Sequence, residues 1–373
     1  ENKIFQKTLE KPAPNGDFVF YEGPPTANGK PGIHHLIARA FKDAIPRYKT
    51  MQGFNVRRKG GWDTHGLPVE LQVEKQLGLK SKKEIESYGI EKFNQECKKS
   101  VWEYVDLWGK FTDRIGYWVD QKNPYVTYEN SYIESVWNIL STVNEKKLLY
   151  KDYKVLPWCP RCGTALSSHE LAQGYEDVKD LSVTAKFRIS STDEKFSRVL
   201  GKNPQTTQKS SVGSAYLLAW TTTPWTLPGN VALAVGEDIE YVKVKVGEEY
   251  LILAKNRLSI LDKEYEVVEE IKGKDLIGLE YEPLYNFLSD KFKDKNPEAF
   301  AKAYKVYKAD FVNTEDGTGI VHTAVMYGQD DFVLGTQIGL PKFHLVKEDG
   351  NFLDGMDFLS NRFVKDEAVA VDI

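Results

Sequence analysis

The chain has 373 residues, 41% of them apolar and 28% charged, with 50 Lys and Arg against 54 Asp and Glu for a net charge of −4. That composition excludes an intrinsically disordered chain, which carries few apolar residues and a larger net charge. No run approaches the ~18 consecutive apolar residues of a membrane span.

At roughly 150 residues per domain, the length implies two to three domains. There is no apolar N-terminal core of a secretory signal. Three Cys without a dense framework fit a reducing compartment, so a cytoplasmic protein without a membrane partner is expected. The sequence opens on Glu1 and stops at Ile373 in mid-pattern, which reads as a piece of something longer.

Asp17–Tyr21 (DFVFY) reads as a buried strand, short, aromatic and β-branched. A Gly- and Pro-rich loop follows, from Glu22 to Gly32. Ile33–Met51 has helical spacing, with Ile33, Leu36, Ile37, Ala40, Phe41, Ala44, Ile45 and Tyr48 on its apolar side, and Pro46 should kink or end that helix. Phe54–Arg58 is a second strand, Gly61–Pro68 a loop and Val69–Leu77 a helix. Glu91–Ile115 reads as a long amphipathic helix and Tyr132–Leu149 as another. Strand, loop, helix, strand is the grammar of an α/β domain with parallel crossovers.

The texture changes near residue 180. Short β-branched runs follow at Ser182–Ile189, Ala215–Trp220, Val231–Val235, Tyr241–Val246, Tyr250–Ala254, Tyr265–Glu270, Ala303–Ala309 and Gly319–His322, the pattern of a mostly β domain. Lys291–Ala301 and Asp330–Gly335 are short helices within it. A β-rich domain emerging from an unfinished α/β domain has the layout of an insertion.

Four motifs carry chemistry. In FVFYEGPPTANGKPGIHH (residues 18–35), a Gly-rich loop leaving a strand lets backbone approach a ligand. The helix after it favours an anion, and His34 and His35 in its first turn have the donors for a phosphate. A plain strand–helix connection with two surface His is the bland alternative. In GWDTHGLPVE (61–70), Asp63 and His65 stand at the carboxyl end of a parallel strand, where open α/β sheets bind ligands. Asp63 has the charge for an ammonium, or the side chain for a local Asx turn. WCPRCGT (158–164) gives Cys159 and Cys162 metal-ligand spacing. They are two of four ligands, with His169 as the other local donor, or two reduced thiols in a turn. AWTTTPWTLPGN (219–230) puts three successive Thr hydroxyls after an apolar strand, which by itself is ordinary for a strand. A basic run, Arg39 to Lys59, reads alone as a solvated face.

YEGPPTANGKPGIHH and GWDTHGLPVE resemble the catalytic domain of class I aminoacyl-tRNA synthetases. The Thr-His pair puts the resemblance on the isoleucine-specific branch, not the valyl (GxDHAG) or leucyl (GWDAFGLP) one. KSKKEIESYGIEKFNQECKKSV and YIESVWNIL are similar to the same branch. WTTTPWTLPGN and GTGIVHTAVMYGQDDF (317–332) resemble the two halves of the family's editing signature. The resemblance covers nearly the whole chain.

It implies a Rossmann-like parallel-sheet catalytic domain whose first half is residues 1–156. A Cys-containing connector follows at 157–180, then an inserted, mostly β editing domain at 181–345 and a return segment at 346–373. It implies isoleucine activation with ATP and Mg2+, transfer to tRNA(Ile), and hydrolytic editing of Val-tRNA(Ile), by a monomer. Matching positions assign Gly32, His34 and His35 to ATP, Pro24 to the amino-acid pocket wall, Asp63 to the substrate ammonium and His65 beside it. Thr221, Thr222 and Thr223 position the ester and attacking water in editing, with Asn230 in the same signature. His322 meets the ribose and Asp331 the α-ammonium. Cys159 and Cys162 form half of a zinc site completed by a second C-x-x-C pair past Ile373. The basic run 39–59 gains nucleic-acid phosphates as a partner.

Two departures stand out. The family's H-x-G-H reads Gly32-Ile33-His34-His35, so His and Gly have changed places. Its H-T-A-P-G carries Val325 and Met326 where Pro and Gly are usual, which could alter the editing pocket. The K-M-S-K-S loop is missing: KFSRV (Lys195–Val199) lies within the β-rich segment and KSKK (Lys80–Lys83) comes too early. Editing has a physical need, because one methylene gives a pocket only about 1–3 kcal/mol, a limit for which the isoleucine-specific branch is itself the known case. An editing-only deacylase, a valyl or leucyl relative, and an RNA-binding module built on the C-x-x-C turn and basic face are the competing readings.

Overall fold

The computed structural model describes residues 3–172, 174–190 and 214–373. KFSRV and the side chain of His169 lie outside the described residues. The chain divides into two compact units, Glu1–Asp152 and Tyr153–Ile373.

The first unit runs α1 (Ile4–Glu10), β1 (Phe20–Tyr21), α2 (Ile33–Met51), β2 (Arg58–Trp62), α3 (Leu67–Leu77), α4 (Lys82–Tyr88), α5 (Ile90–Ser100), α6 (Val105–Ile115), β3 (Asp120–Val126) and α7 (Asn130–Glu145). Its sheet has the order β1-β2-β3 and both pairings are parallel, as the strand–loop–helix grammar requires. Gly60 and Gly61 let β3 come close: a Cβ on Gly60 would stand 2.7 Å from Asp120 O, and one on Gly61 would lie 2.3 Å from the Tyr125 ring.

Several expectations change here. DFVFY is not a buried strand. Only Phe20–Tyr21 pair, with one bridge at Asp17–Asn55, and Val19 and Tyr21 are exposed; among the described residues β1 is an edge strand. The second strand is Arg58–Trp62, later than Phe54–Arg58. Pro46 does not end α2, which continues to Met51. Thr50 donates its hydroxyl to Pro46 O at 2.8 Å and accepts from Arg58 Nη2 at 2.8 Å, so the turn beyond the proline is secured by side chains. Glu91–Ile115 is two helices, because the chain bends between Ser100 and Val105, where Tyr104 N donates to Ala27 O at 3.2 Å.

The buried side of α2 is carried by Arg39, Pro46 and Thr50, while Ile33, Ile37, Phe41, Ile45 and Tyr48 are exposed. Arg39 bonds Thr112 Oγ1 at 2.6 Å and stacks over Trp108 at 4.9 Å and Tyr117 at 5.2 Å, cation–π contacts that replace aliphatic packing. Arg58 is likewise buried against Trp118, Lys42 pairs with Glu22 and Arg47 with Asp43. Four of the seven basic residues of the 39–59 run are thus engaged inside the unit, while Lys49 is half-buried and Arg57 and Lys59 are exposed.

The second unit begins with a hairpin, β4 (Trp158–Cys159) and β5 (Thr164–Ala165), and α8 (Ser168–Ala172). A five-stranded mixed sheet has the order β11-β9-β10-β7-β6, with β6 Val183–Arg188, β7 Ala215–Thr221, β9 Glu240–Val246, β10 Glu249–Ala254 and β11 Glu266–Lys272. A three-stranded sheet, β12-β8-β13, joins Lys305–Lys308, Ala232–Val235 and Ile320–Thr323. All eight β-branched runs become strands. Phe187, Leu217, Ile252, Leu233 and Val306 share one core, each such side chain contributing roughly 1.5–3 kcal/mol by burial. Among the described residues no helix is long and apolar enough to cross a membrane.

Candidate functional site

In the first unit, the loops after β1 and β2 meet at the carboxyl end of the sheet. Asp63 N donates to Pro25 O at 3.1 Å and Asp63 bridges Thr26 in parallel register, which sets Asp63 beside the Glu22–Gly32 loop and its half-buried Pro24. That loop is pinned from several sides. Tyr125 donates to Glu22 O at 2.5 Å, Trp108 Nε1 to Gly29 O at 2.8 Å and Asn28 Nδ2 to Pro68 O at 3.1 Å. The Glu22 carboxylate is buried and receives Lys42 Nζ at 3.0 Å and the Tyr117 hydroxyl. Sequence reasoning passed over Glu22, Tyr117 and Tyr125; a lone acidic residue heading a Gly-Pro loop gives no periodic signal.

Gly32 caps α2, and its N–H donates to His35 Nδ1 at 2.9 Å. The acceptor role of Nδ1 places the proton of the neutral ring on Nε2. Burial, then the neighbouring His34, Arg39 and Lys42, holds the His35 pKa below the usual imidazole value. His35 is therefore a neutral donor at a helix N-terminus, suited to a phosphate oxygen. Its ring packs against Trp108 at 4.7 Å, and the His34 ring lies 3.8 Å from it. A Cβ on Gly32 would come within 2.9 Å of His34 Cε1.

Asp63 Oδ1 accepts from His65 N at 3.3 Å, so the Asx-turn reading is realised too. The His65 ring is exposed, with Nδ1 3.0 Å from Thr127 Oγ1. Thr127 also accepts from Thr64 N at 3.0 Å and lies 2.8 Å from Thr64 Oγ1.

In the second unit, the Thr-rich segment leaves β7 and turns through a 3-10 helix, Pro224–Gly229. Thr221 Oγ1 accepts from Thr223 N at 3.0 Å and lies 3.1 Å from Thr223 Oγ1. Thr222 is exposed. Thr226, unnoticed in the sequence, donates to Thr223 O at 2.8 Å and lies 2.9 Å from His322 Nε2 on β13. With the Thr226 proton so directed, His322 Nε2–H is the donor and the buried Nδ1 is an acceptor that lacks a partner. Burial pushes the His322 pKa down to about 4, so the ring is neutral near pH 7.

Asp331 lies in the first turn of the helix Gln329–Ile338. Burial pushes its carboxyl up to about 7, although Ala324 N donates to it. The carboxylate folds over Gly328, where a Cβ would stand 2.6 Å from Oδ2. A half-ionised buried carboxyl gains most from a cationic ligand that restores its charge. Asn230 is taken up by the framework, donating to Ala232 O at 2.9 Å and accepting from Tyr281 at 2.6 Å. Val325 is buried against Gly335, in the core with Phe352, and Met326 is half-buried.

Cys159 and Cys162 occupy the β4–β5 turn, where Cys162 N donates to Cys159 Sγ at 3.4 Å. Burial, then the neighbouring Cys159, raises the Cys162 pKa. The pair has the knuckle form of half a tetrahedral site. Among the described residues no group of three or more His, Cys, Asp or Glu stands ready to hold a metal.

The model of the family described as tRNA synthetases class I (I, L, M and V) matches residues 1–331. An isoleucine–tRNA ligase of Clostridium acetobutylicum is 51% identical over 365 residues, 98% of this chain and 32% of its own length. One of Bacillus thuringiensis is 48% identical over 367 residues, 98% of this chain and 33% of its own. The chain thus spans about a third of the length of the curated relatives it matches. The solved editing domain of a P. knowlesi cytosolic leucyl-tRNA synthetase is similar at a TM-score of 0.30 and 18% identity, covering 40% of this chain and 59% of that one, a likeness too slight to carry an argument.

Proposed function

This chain belongs to the class I tRNA synthetases (I, L, M and V), and from that membership we propose that it serves an isoleucine–tRNA ligase, with activation in its first unit and editing in its second. The observation that supports the reading is the pairing of Asp63 with Pro25 and Thr26, which sets Asp63 beside the Glu22–Gly32 loop.

Asp63 holds the isoleucine ammonium, with Pro24 and His65 beside it. ATP lies over the Glu22–Gly32 loop and the start of α2, where Gly32 gives room and His34 and His35 meet the phosphates. Mg2+ bound with ATP would neutralise phosphate charge. The isoleucine carboxylate attacks the α-phosphorus in line, forming a carboxyl–phosphate bond and releasing pyrophosphate. The residues contribute position and preorganised donors rather than covalent chemistry. The adenylate then passes its acyl group to the terminal ribose of tRNA(Ile).

In the second unit, Asp331 takes the α-ammonium of a mischarged valyl ester. Thr221, Thr222 and Thr223 direct water to the ester carbonyl. His322, held by Thr226, stands for the ribose contact of the family's signature. Asn230 acts by holding the segment in place. The domain bounds follow the same reading: a catalytic half over 1–156, a connector over 157–180, the editing domain over 181–345 and a return segment over 346–373. Cys159 and Cys162 would supply two of four zinc ligands, and zinc would tie the knuckle together. A cytoplasmic location and a monomeric full-length protein complete the reading.

Deacylation of Val-tRNA(Ile) and Ile-tRNA(Ile), with Asp331→Ala beside the parent, tests it. Selective loss of valine that disappears in the variant is the expected result. Equal hydrolysis of both, or an unaffected variant, removes the editing assignment. Isoleucine-dependent ATP–pyrophosphate exchange by the full-length protein tests the first unit.

A further inference from the structure

The proton arithmetic around Thr127 has one solution that satisfies every partner. A hydroxyl has one proton to give and accepts two. Thr64 N–H donates to Thr127 Oγ1 at 3.0 Å. That leaves Thr64 Oγ1 at 2.8 Å and His65 Nδ1 at 3.0 Å, one of which gives a proton while the other receives one. Thr64 is buried and, among the described residues, its hydroxyl has no other acceptor. Were His65 the donor, the Thr64 proton would be left without a partner in a buried place, which folded proteins avoid. The order that meets every requirement is Thr64 O–H to Thr127, and Thr127 O–H to His65 Nδ1. Thr127 is itself fixed where β3 ends, since its N–H donates to Trp62 O at 3.2 Å and extends the β2–β3 pairing by one residue.

We infer that Thr127 is a positioning residue which, through this chain of hydroxyls, fixes the His65 ring in its Nε2–H form and aims that donor at an oxygen of the bound amino acid or its adenylate. The proposal rests on the reading of His65 as a substrate contact. Asp63 adds a second restraint through His65 N, so backbone and ring of His65 are held from two strands at once. Orientation of an imidazole by the hydrogen bond at its other nitrogen is a general device.

The test uses ATP–pyrophosphate exchange by the full-length protein with Thr127→Val, Thr127→Ser, His65→Gln and the Thr127→Val/His65→Gln pair. The expected result is a tenfold or greater rise in the isoleucine KM for Thr127→Val, with the ATP KM within twofold. Thr127→Ser should recover to within threefold of the parent, and the double variant should match His65→Gln alone. A Thr127→Val effect that persists in full on the His65→Gln background overturns the proposal and leaves the reading of His65 intact. His65→Gln at the parental KM removes that reading, and the proposal with it. Should Thr127→Val fail to fold, Thr127→Cys, close in size and a weak donor, must show the same KM split for the proposal to stand.

Discussion

His34 sets its ring in the space that a side chain on Gly32 would need, with Cε1 2.9 Å from the position of that Cβ. The order Gly-x-His-His is thus a local exchange of volumes: the imidazole absent from position 32 is supplied two residues later. Gly32→Ala should push the His34 ring aside without straining the backbone, whose φ of −110° suits any residue. The expected outcome is a several-fold rise in the ATP KM of the full-length protein, an unchanged isoleucine KM and an unchanged thermal midpoint. A parental ATP KM would show that His34 does not meet ATP.

Asp331 costs the folded chain stability near neutral pH. Its carboxyl is pushed up to about 7, so as pH rises from 3.8 to 7 the unfolded chain gives up a proton that the folded chain keeps. Stability is lost across that window. Asp331→Asn should stabilise the chain at pH 8 by on the order of 3 kcal/mol, with the gain vanishing near pH 4. Urea unfolding at the two pH values measures it, and the same variant should lose valine-selective deacylation.

His322 works in the opposite sense. Its pKa of about 4 lies below the ordinary 6.5, so the unfolded chain takes up a proton first as pH falls. Stability is present above 6.5 and lost down to 4, nearly the window in which Asp331 restores it. The parent should therefore show little net pH dependence from this pair. His322→Gln should grow more stable relative to the parent as pH falls from 7 to 4, by on the order of 3 kcal/mol at the lower end. A parallel pair of urea curves across that range would exclude a buried neutral ring.

The exposed row Ile33, Ile37, Phe41, Ile45 and Tyr48 along α2 is a contiguous apolar stripe of the kind that drives association. The isolated 373-residue chain should self-associate at tens of micromolar in sedimentation velocity. An Ile37→Glu/Phe41→Glu pair should sediment as a monomer with its unfolding midpoint preserved, since neither side chain is buried.

Much of this was legible in the sequence where a strand or a motif is local. Every β-branched run of the second unit became a strand, because alternation and turn residues act over a few positions. The sequence misled where a tertiary partner decides. The apolar row of α2 has the spacing of a packed face, yet it is exposed, and Arg39 fills the buried side by stacking on Trp108, 69 positions later in the chain. Nothing near the basic run in sequence announces Glu22 or Thr112 as the partners of Lys42 and Arg39. Thr226 and Thr127 escaped for the same reason. Each acts through a residue on a distant strand or loop, and a lone threonine has no signature of its own.

Tyr125 reaches over Gly61 to the carbonyl of Glu22, so one side chain of β3 spans all three strands. With Trp108 and Asn28 it leaves the Glu22–Gly32 loop little freedom before any ligand arrives. The entropy of ordering that loop is settled during folding, and a nucleotide need not supply it on binding. Loosening that bond, as in Tyr125→Phe, would therefore appear in nucleotide affinity as a loss of preorganisation, although Tyr125 itself need never touch the nucleotide.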